Sequence, residues 1–402
     1  MITVVGGAYR ERCREPSWDE LYGSGLRAAC VLRGLGAKAQ LQTLISADRK
    51  PLLQSIAAQH AIDIVTTTIP RTIGFFYQHG MATPEVIPDP RRLDHGIQLQ
   101  NLSVKADKVL CFGFIEGSVV IDGGQVVYDP QSPTCPNPFR ARGCSADRLV
   151  IIANRSELAQ LSGIDRIDRA CQHVLKAEKA EAVIAKLGPN GCLVVTAQKQ
   201  VSVPAFRTQR VFPIGSGDVF SAAFAHAWIE KKRPPAEAAL FASRAAAYYC
   251  EHRTFPRRNL AGWKPSPLRV LPPKQHRGVY LAGPFFNAGQ RWVIDELHQA
   301  LRQARLKVFS PMHDVGPGPA ETIWQPDIDG LRKSGVVLAV IDGLDPGTIY
   351  EIGYAHARQI PVIALVSAER EEDLKMLRGG GCHIVDDIPT AVYHTSWAAM
   401  CR

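Results

Sequence analysis

A short glycine-rich segment, Gly215-Ser216-Gly217-Asp218, stands directly before a strongly apolar stretch of helix-forming residues. Two glycines and a serine at a helix start leave backbone N–H groups free to bind an anion, and the helix dipole adds to this attraction. A carboxylate beside such a site can accept the proton of a hydroxyl that attacks a phosphoryl group. The segment therefore indicates phosphoryl transfer, although Asp218 also fits a carboxylate that only stabilises the helix dipole.

Carboxylates also gather in the last third of the chain. Asp342, Asp345 and Glu351 lie between an apolar strand pattern and a helix pattern, and Asp327 closes a long predicted loop rich in glycine and proline. Cleavage of a glycosidic bond passes through an oxocarbenium-like transition state, which a carboxylate can attack or stabilise. The structural alternative is that Thr348 and Glu351 form a capping box at the start of a helix.

Apolar runs bounded by glycine or polar residues predict the strands that position these groups. Ile2–Val5, Ala182–Leu187 and Val336–Ile341 are runs of this kind. Strand and helix patterns alternate, which predicts an α/β protein with parallel strands and ligands bound beyond their carboxyl ends. Val65–Ile69 and Gly74–Gln78 alternate like antiparallel strands about a turn, and they predict a small β flap.

The stretch Trp263–Gly278 divides the chain. It contains four prolines and no acidic residue, which predicts an extended linker. The predicted domains are residues 1–262 and 278–402, joined by a linker at 263–277. Each domain is long enough to bury a core of its own.

Composition excludes some classes of function and favours others. The net charge is +9 and the pI about 9.1, but Lys and Arg are dispersed, which favours anionic metabolites over nucleic acid as partners. The ten cysteines show no disulfide or zinc spacing and indicate reduced thiols. No run resembles a signal peptide or a membrane span. We expect a cytoplasmic protein that acts on small molecules and does not bind membranes.

Five motifs together resemble the ribokinase (PfkB-type) carbohydrate kinase family over about residues 1–260. In chain order they are Gly6-Gly7, Gly23-Ser24-Gly25, Asn154-x-x-Glu157, Leu187-Gly188-x-x-Gly191 and Gly215-Ser216-Gly217-Asp218. The resemblance implies a ribokinase-like α/β sandwich with a small β lid, and it implies ATP and Mg²⁺ as cofactors. It also implies a role for each motif residue: Asp218 as the base on the acceptor hydroxyl, Gly215, Ser216 and Gly217 around the transferring phosphate, Gly188 and Gly191 beside ATP, and Asn154 and Glu157 around Mg²⁺ and its waters.

The chain departs from this family at two places. Phe212 and Pro213 occupy positions where aspartate and threonine are common, and Glu11 and Arg27 stand where a sugar-binding Asn and Asp are common. Glu11 and Arg27 are therefore the expected acceptor-binding residues, and the acceptor is expected to differ from plain ribose, for example by carrying an anion that Arg27 would pair. Two structural interpretations remain open, because Arg27 also fits a solvated helix charge and the Asn154 motif also fits a capping box.

The second unit, from about Gly278 to the end, resembles the nucleoside 2-deoxyribosyltransferases. The resemblance is carried by residues 280–286, 327–331 and 345–354. It implies a flavodoxin-like parallel sheet and a homo-oligomer. It also implies the site residues: Glu351 as the nucleophile, Asp327 as the proton donor or hydrogen-bond partner of the base, Asp345 orienting the sugar, Tyr280 contacting Glu351, and Gly283, Phe285, Phe286 and Asp342 around the substrate.

These observations predict a bifunctional enzyme of nucleoside or nucleotide metabolism. The second unit would cleave or exchange an N-glycosidic bond, and the first would phosphorylate a sugar or nucleoside with MgATP. The alternative, motivated by Phe212 and Pro213, is that the first unit only binds a nucleotide and regulates an N-glycosidase in the second. The base preference, the phosphorylation state of the substrate and the choice between hydrolysis and transfer stay open.

Overall fold

A computed structural model describes residues 1–89, 100–132 and 136–401 of the 402-residue chain. The chain forms two compact units, Met1–Gln78 with Thr83–Pro267 and His79–Ala82 with Leu268–Arg402. Within the described ranges, no helix has the length and apolar character needed to cross a bilayer.

Residues 1–267 form a main sheet with helices on both faces and a second, smaller sheet. The strands are β1 Ile2–Val5, β2 Arg10–Glu15, β3 Trp18–Leu21, β4 Ala39–Ser46, β5 Asp63–Ile69, β6 Gly74–His79, β7 Glu85–Ile87, β8 Gln100–Phe112, β9 Gly117–Asp129, β10 Ser145–Asn154, β11 Ala182–Lys186, β12 Cys192–Thr196 and β13 Gln200–Val203. The helices are α1 Gly23–Gly34, α2 Lys50–His60, α3 Arg155–Ser162, α4 Ile167–Ala177, α5 Ser216–Ala225 and α6 Pro235–His252.

The main sheet has the order β13-β12-β11-β10-β9-β8-β1-β4-β5. Its strands from β11 to β5 in this order are parallel to one another. β12 pairs antiparallel with β11, and β13 pairs antiparallel with β12. The central strands are apolar and buried on both faces, as β1 is from Ile2 to Val5, because helices cover both sides of the sheet. The parallel arrangement brings the carboxyl ends of β9, β10 and β11 to one edge, where candidate site residues follow.

The smaller sheet has the order β3-β2-β6-β7 and forms the β lid. The predicted flap is correct for Gly74–Gln78, which lies in β6. It is wrong for Val65–Ile69, which belongs to β5 and pairs in parallel with β4 at the edge of the main sheet. An edge strand that is covered on one face alternates apolar and polar residues as a lid strand does, so this pattern could not separate the two.

The second unit is a parallel five-stranded sheet with helices, as predicted. Its strands, in the spatial order β15-β14-β16-β17-β18, are β14 Val279–Ala282, β15 Val308–Phe309, β16 Val336–Val340, β17 Val362–Leu365 and β18 His383–Val385. Its helices are α7 Ala288–Gln303, α8 Ala320–Lys333, α9 Pro346–Ala357, α10 Lys375–Gly379 and α11 Ile388–Met400. The predicted long loop before Asp327 is wrong, because α8 occupies much of it and contains Pro326.

The predicted linker makes backbone hydrogen bonds near both of its ends. Near its start, Ser266 O accepts from Arg207 N at 3.0 Å. Near its end, Arg277 N donates to Ala399 O at 2.9 Å. The division between the compact units falls inside it, between Pro267 and Leu268. The boundaries 262 and 278 stay a prediction.

Candidate active sites

Gly215 is the N-cap of helix α5, which begins at Ser216 and places Asp218 in its first turn. Gly215 has a φ of +77°, which a residue with a side chain rarely adopts. A Cβ at this position would lie 2.2 Å from Arg27 Nε, so close packing requires glycine as well. Asp218 accepts hydrogen bonds at both carboxylate oxygens, from Arg27 Nη1 at 2.7 Å and from Gln131 Nε2 at 2.7 Å. Its carboxylate therefore has a fixed orientation.

Arg27 is a buried cation rather than a solvated helix charge. Its side chain is 1% exposed and pairs with Asp218 and with Glu11. Glu11 Oε1 also accepts from Gly23 N at 3.2 Å. Two carboxylates thus balance the charge of Arg27, which argues against the expectation that it pairs an anion on the acceptor. The three side chains, which sequence places far apart, form one ionic cluster around the expected base.

Asn154 and Glu157 form the capping box that sequence left open. Asn154 Oδ1 accepts from Glu157 N at 2.9 Å, and Glu157 Oε2 accepts from Asn154 N at 2.7 Å. The pair begins helix α3 at the carboxyl end of β10. Each side chain retains oxygen lone pairs, so the box leaves the expected role near a metal as a prediction.

Asp129 and Lys186 were missed by sequence reasoning. Lys186 Nζ and Ser221 Oγ both donate to Asp129 Oδ2 at 2.7 Å. Among the described residues, none is a hydrogen-bond partner of the buried Asp129 Oδ1. Burial raises the pKa of Asp129 to about 7, and nearby Glu157 adds to this rise. Both residues end apolar strands, β9 and β11, and this position was the signal that could have identified them.

Different structural reasons explain the glycines at positions 188, 191 and 217. Gly191 has a φ of +75°, and a Cβ there would lie 2.1 Å from the carbonyl oxygen of Val203. Backbone packing therefore explains Gly191, and Gly188 opens the 3₁₀ turn before it. A Cβ on Gly217 would instead lie 3.5 Å from Lys186 Nζ. Lys186 thus approaches the first turn of α5, which also contains Ser216.

A cavity of about 870 Å³ lies between the lid and these groups. The two expected metal-site residues and Gln131, which contacts Asp218, line one part of it. The expected ATP residues Gly188 and Gly191 are not among its lining residues. The cavity wall also includes lid and neighbouring side chains, among them Tyr9, Phe75, Tyr77, Pro84, Val86 and Ile115.

In the second unit, the half-buried Glu351 side chain lies against Tyr280 of β14. Tyr280 Oη donates to Glu351 Oε1 at 2.5 Å. Burial raises the pKa of Glu351 to about 7, the Tyr280 hydrogen bond lowers it, and the nearby carboxylates Asp327 and Asp345 raise it. Asp327, Asp345 and Tyr280 therefore surround Glu351, as the resemblance implied.

The predicted capping alternative for Glu351 is wrong. The residue that caps α9 is Asp345, whose Oδ2 accepts from Thr348 N at 2.7 Å and from Thr348 Oγ1 at 2.8 Å. Thr348 is thus a donor to the cap, and the Glu351 side chain bonds Tyr280 instead. A role in helix capping therefore does not explain the glutamate at position 351.

Asp327 projects from α8, and its buried Oδ1 has no hydrogen-bond partner in the part of the chain that the structure describes. Burial raises its pKa. An unpaired buried carboxylate is costly, and a hydrogen bond to a ligand would relieve the cost. Asp342 has a different environment, since its Oδ1 accepts from Ser367 N at 2.8 Å and thereby holds the loop after β17.

The remaining predicted substrate residues follow β14. Phe285 and Phe286 stack with ring centroids 5.8 Å apart, and the Phe286 side chain is largely exposed. Gly283 lies between β14 and this pair, where a Cβ would come within 2.7 Å of Ile294 Cδ1. Packing therefore requires a glycine at this position.

We expect Tyr280→Phe to move the pH dependence of base release to higher pH. A nucleophilic Glu351 must be ionised, so activity rises with pH through about 7. Removing the hydroxyl removes a hydrogen bond that stabilises the carboxylate, so its pKa rises further. Activity should fall about 3- to 10-fold at pH 6 and less at pH 8. A pH profile of kcat/KM checks this, and an equal loss at every pH would contradict it.

Two protein-family models match the chain, one in each compact unit. Residues 126–254 match the pfkB family carbohydrate kinases, and residues 279–386 match the nucleoside 2-deoxyribosyltransferases. The chain joins a PfkB-type kinase domain to a nucleoside 2-deoxyribosyltransferase domain. Both families are enzymes, and the two predicted resemblances are confirmed.

Individual relatives match the kinase domain. Deoxyribokinases of Salmonella typhi and Salmonella typhimurium are 32% identical over 112 residues, which is 27% of this chain and 36% of theirs. The chain thus matches about a third of the length of these curated relatives. A fructokinase of Vibrio cholerae, solved with fructose, ADP and calcium, has a TM-score of 0.50 at 15% identity over 65% of this chain and 98% of its own. A ribokinase of Thermotoga maritima has a TM-score of 0.48 at 19% identity, with coverage of 65% and 98%. The similarity to the fructokinase shows a ribokinase-like fold for this part of the chain.

Proposed function

We propose that the chain is a bifunctional enzyme of nucleoside or nucleotide metabolism. The deoxyribosyltransferase domain breaks an N-glycosidic bond through Glu351, and the kinase domain transfers a phosphoryl group from MgATP to a sugar or nucleoside hydroxyl. The observation that carries this proposal is the Glu351 environment, in which a half-buried carboxylate accepts a hydrogen bond from Tyr280 while Asp345 caps the helix.

In the proposed glycosidic reaction, a Glu351 carboxylate oxygen attacks the anomeric carbon of the sugar. The carbon–nitrogen bond breaks, its electrons pass to the base, and Asp327 supplies a proton to the leaving nitrogen. The raised pKa of Asp327 supports this role, because a protonated carboxyl can donate. Water or a second base then attacks the same carbon and releases Glu351. Tyr280 keeps the nucleophile oriented and ionised.

In the proposed kinase reaction, Asp218 accepts the proton of the acceptor hydroxyl. The hydroxyl oxygen attacks the terminal phosphorus of ATP, and ADP leaves with the electrons of the broken bond. The first turn of α5 and Lys186 bind the transferring group. Mg²⁺ typically keeps several waters and binds one or two carboxylates. The orphaned Asp129 Oδ1 and nearby Glu157 fit this requirement and would hold the ion, which would neutralise phosphate charge.

Lys186 is expected to be a catalytic residue of this domain. Its ammonium group bonds Asp129, faces Gly217 and is stabilised by Glu157 and Asp218. Lys186 is therefore a cation that lies near both the proposed base, Asp218, and the carboxylates proposed to hold the metal. Such a group stabilises charge on the transferring phosphoryl.

We expect Lys186→Met to lower kcat for phosphorylation about 10²- to 10³-fold while ATP affinity changes less than about tenfold. Lys186→Arg should recover part of the loss, and Lys199→Met at the surface is the control. Steady-state kinetics, ATP titration and thermal unfolding measure the three quantities. An activity loss that only follows the fall in unfolding temperature would contradict the catalytic role.

A screen of the wild-type chain tests the proposed function. Ribonucleosides, deoxyribonucleosides, their monophosphates and free pentoses are incubated with and without MgATP and a second base, and free base and phosphorylated products are separated by chromatography and identified by mass. We expect base release or exchange without ATP, and a phosphorylated product with ATP. ATP binding that changes base release without any phosphorylated product would support the nucleotide-sensor alternative.

A further inference from the structure

The lid presents an aromatic face to the kinase cavity. Phe75 and Tyr77 are two residues apart on β6, so they lie on the same face of the lid sheet, and both line the cavity. Val86 on β7 is the cross-strand partner of Phe75. The Tyr9 ring lies 5.3 Å from the Phe75 ring and its hydroxyl donates to buried Glu116 at 2.7 Å. Tyr9 therefore directs its polar end away and contributes its ring.

Polar groups for an acceptor hydroxyl also line this cavity. Gln131 lines it and bonds Asp218, the proposed base. The proposed Asp218 reaction needs only one hydroxyl there. Further hydroxyls of a free pentose that faced Phe75, Val86 and Ile115 would lose their hydrogen bonds to water without replacement, which costs free energy. A planar ring on the same wall would gain stacking area.

We propose that the acceptor of the kinase domain is a nucleoside, with its base stacked on Phe75 and Tyr77 and its sugar hydroxyl at Asp218. This rests on the proposed kinase function and names its substrate class. Thr83, which is exposed beside β7 and also lines the cavity, supplies polar atoms for the edge of the base.

Similarity to deoxyribokinases does not decide the acceptor. The kinase family match begins at residue 126. Tyr9, Phe75 and Tyr77 precede it, so the aromatic wall lies outside the matched residues. The matched part contains Asp129, Lys186 and Asp218, which belong to phosphoryl transfer. We therefore infer the chemical class of the acceptor from the residues that line the cavity.

The test uses full-length chain carrying Glu351→Gln, so that the second domain does not release sugar from the nucleosides. Initial rates of product formation from radiolabelled ATP are compared for ribo- and deoxynucleosides, ribose and 2-deoxyribose. We expect kcat/KM for the best nucleoside to exceed that for either pentose at least 100-fold. Phe75→Ala should lower the nucleoside value roughly 5- to 150-fold, the range for loss of one base–aromatic stack, and should leave the pentose rate nearly unchanged.

Phe76→Ala is the matched control, because Phe76 lies on the opposite face of the same lid strand and does not line the cavity. It should leave nucleoside phosphorylation unchanged, and thermal unfolding of each variant monitors lid stability. Pentoses phosphorylated as well as nucleosides, or equal losses in the Phe75 and Phe76 variants, would overturn the proposal while leaving the kinase function intact. No phosphorylation of any acceptor would overturn the kinase function and the acceptor proposal together.

Discussion

Glu351→Ala should abolish base release from nucleosides or nucleotides, with a fall in kcat of at least about 10⁴-fold. The half-buried Glu351 carboxylate is the proposed nucleophile, and no other described carboxylate bonds Tyr280. Alanine leaves Tyr280 without its acceptor and leaves the anomeric carbon without a nucleophile. Release of free base, followed by chromatography, measures the effect.

Glu372→Ala is the control for Glu351→Ala, since Glu372 is exposed and pairs with Lys375. It should release base at the wild-type rate. Kinase activity of the Glu351 variant should stay within about twofold of wild type, because the proposed phosphoryl-transfer residues belong to the other domain. Base release that persists in Glu351→Ala would exclude this residue as the nucleophile.

Asp218→Asn should lower phosphorylation of the acceptor about 10²- to 10⁴-fold, the range for loss of a general base. Asparagine retains the shape of the side chain and one acceptor oxygen, but it cannot take the proton of the attacking hydroxyl. It also leaves the Arg27 charge with Glu11 as its remaining ionic partner. ADP formation that depends on the acceptor measures the effect.

Asp168→Asn provides the matched control for Asp218→Asn. Asp168 is a partly exposed aspartate of the same domain that pairs with Arg166. Its variant should phosphorylate the acceptor at the wild-type rate, and base release by Asp218→Asn should be unchanged. Thermal unfolding separates loss of the base from loss of the Arg27 cluster. Undiminished phosphorylation in a folded Asp218→Asn variant would contradict the assignment.

The motifs predicted most of the fold and the residues that lie near Glu351. Tyr280, Asp327 and Asp345 lie around Glu351, because parallel strands and the helices that follow them bring these positions to one sheet edge. Sequence could not decide whether Glu351 caps a helix. That choice depends on whether Asp345 or Thr348 takes the cap position, which is a matter of backbone dihedrals one turn apart.

The kinase domain was harder to predict from the sequence where contacts between distant residues determine the structure. Arg27 and Asp218 are 191 positions apart, and their ion pair reverses the expectation that Arg27 is open to an anion. Asp129 and Lys186 belong to no motif, and only their strand-end positions pointed to them. The capping-box interpretation of Asn154 is correct, and its expected role near a metal stays a prediction.

The most direct test of two independent active sites in one chain follows free base and ADP together in single reactions. Wild type, Glu351→Ala, Asp218→Asn and the double variant are compared with the best nucleoside or nucleotide substrate and MgATP. We predict that Glu351→Ala loses only base release, Asp218→Asn loses only acceptor-dependent ADP formation, and the double variant loses both. Loss of both products in either single variant, with unfolding temperatures unchanged, would contradict the account of two separate sites.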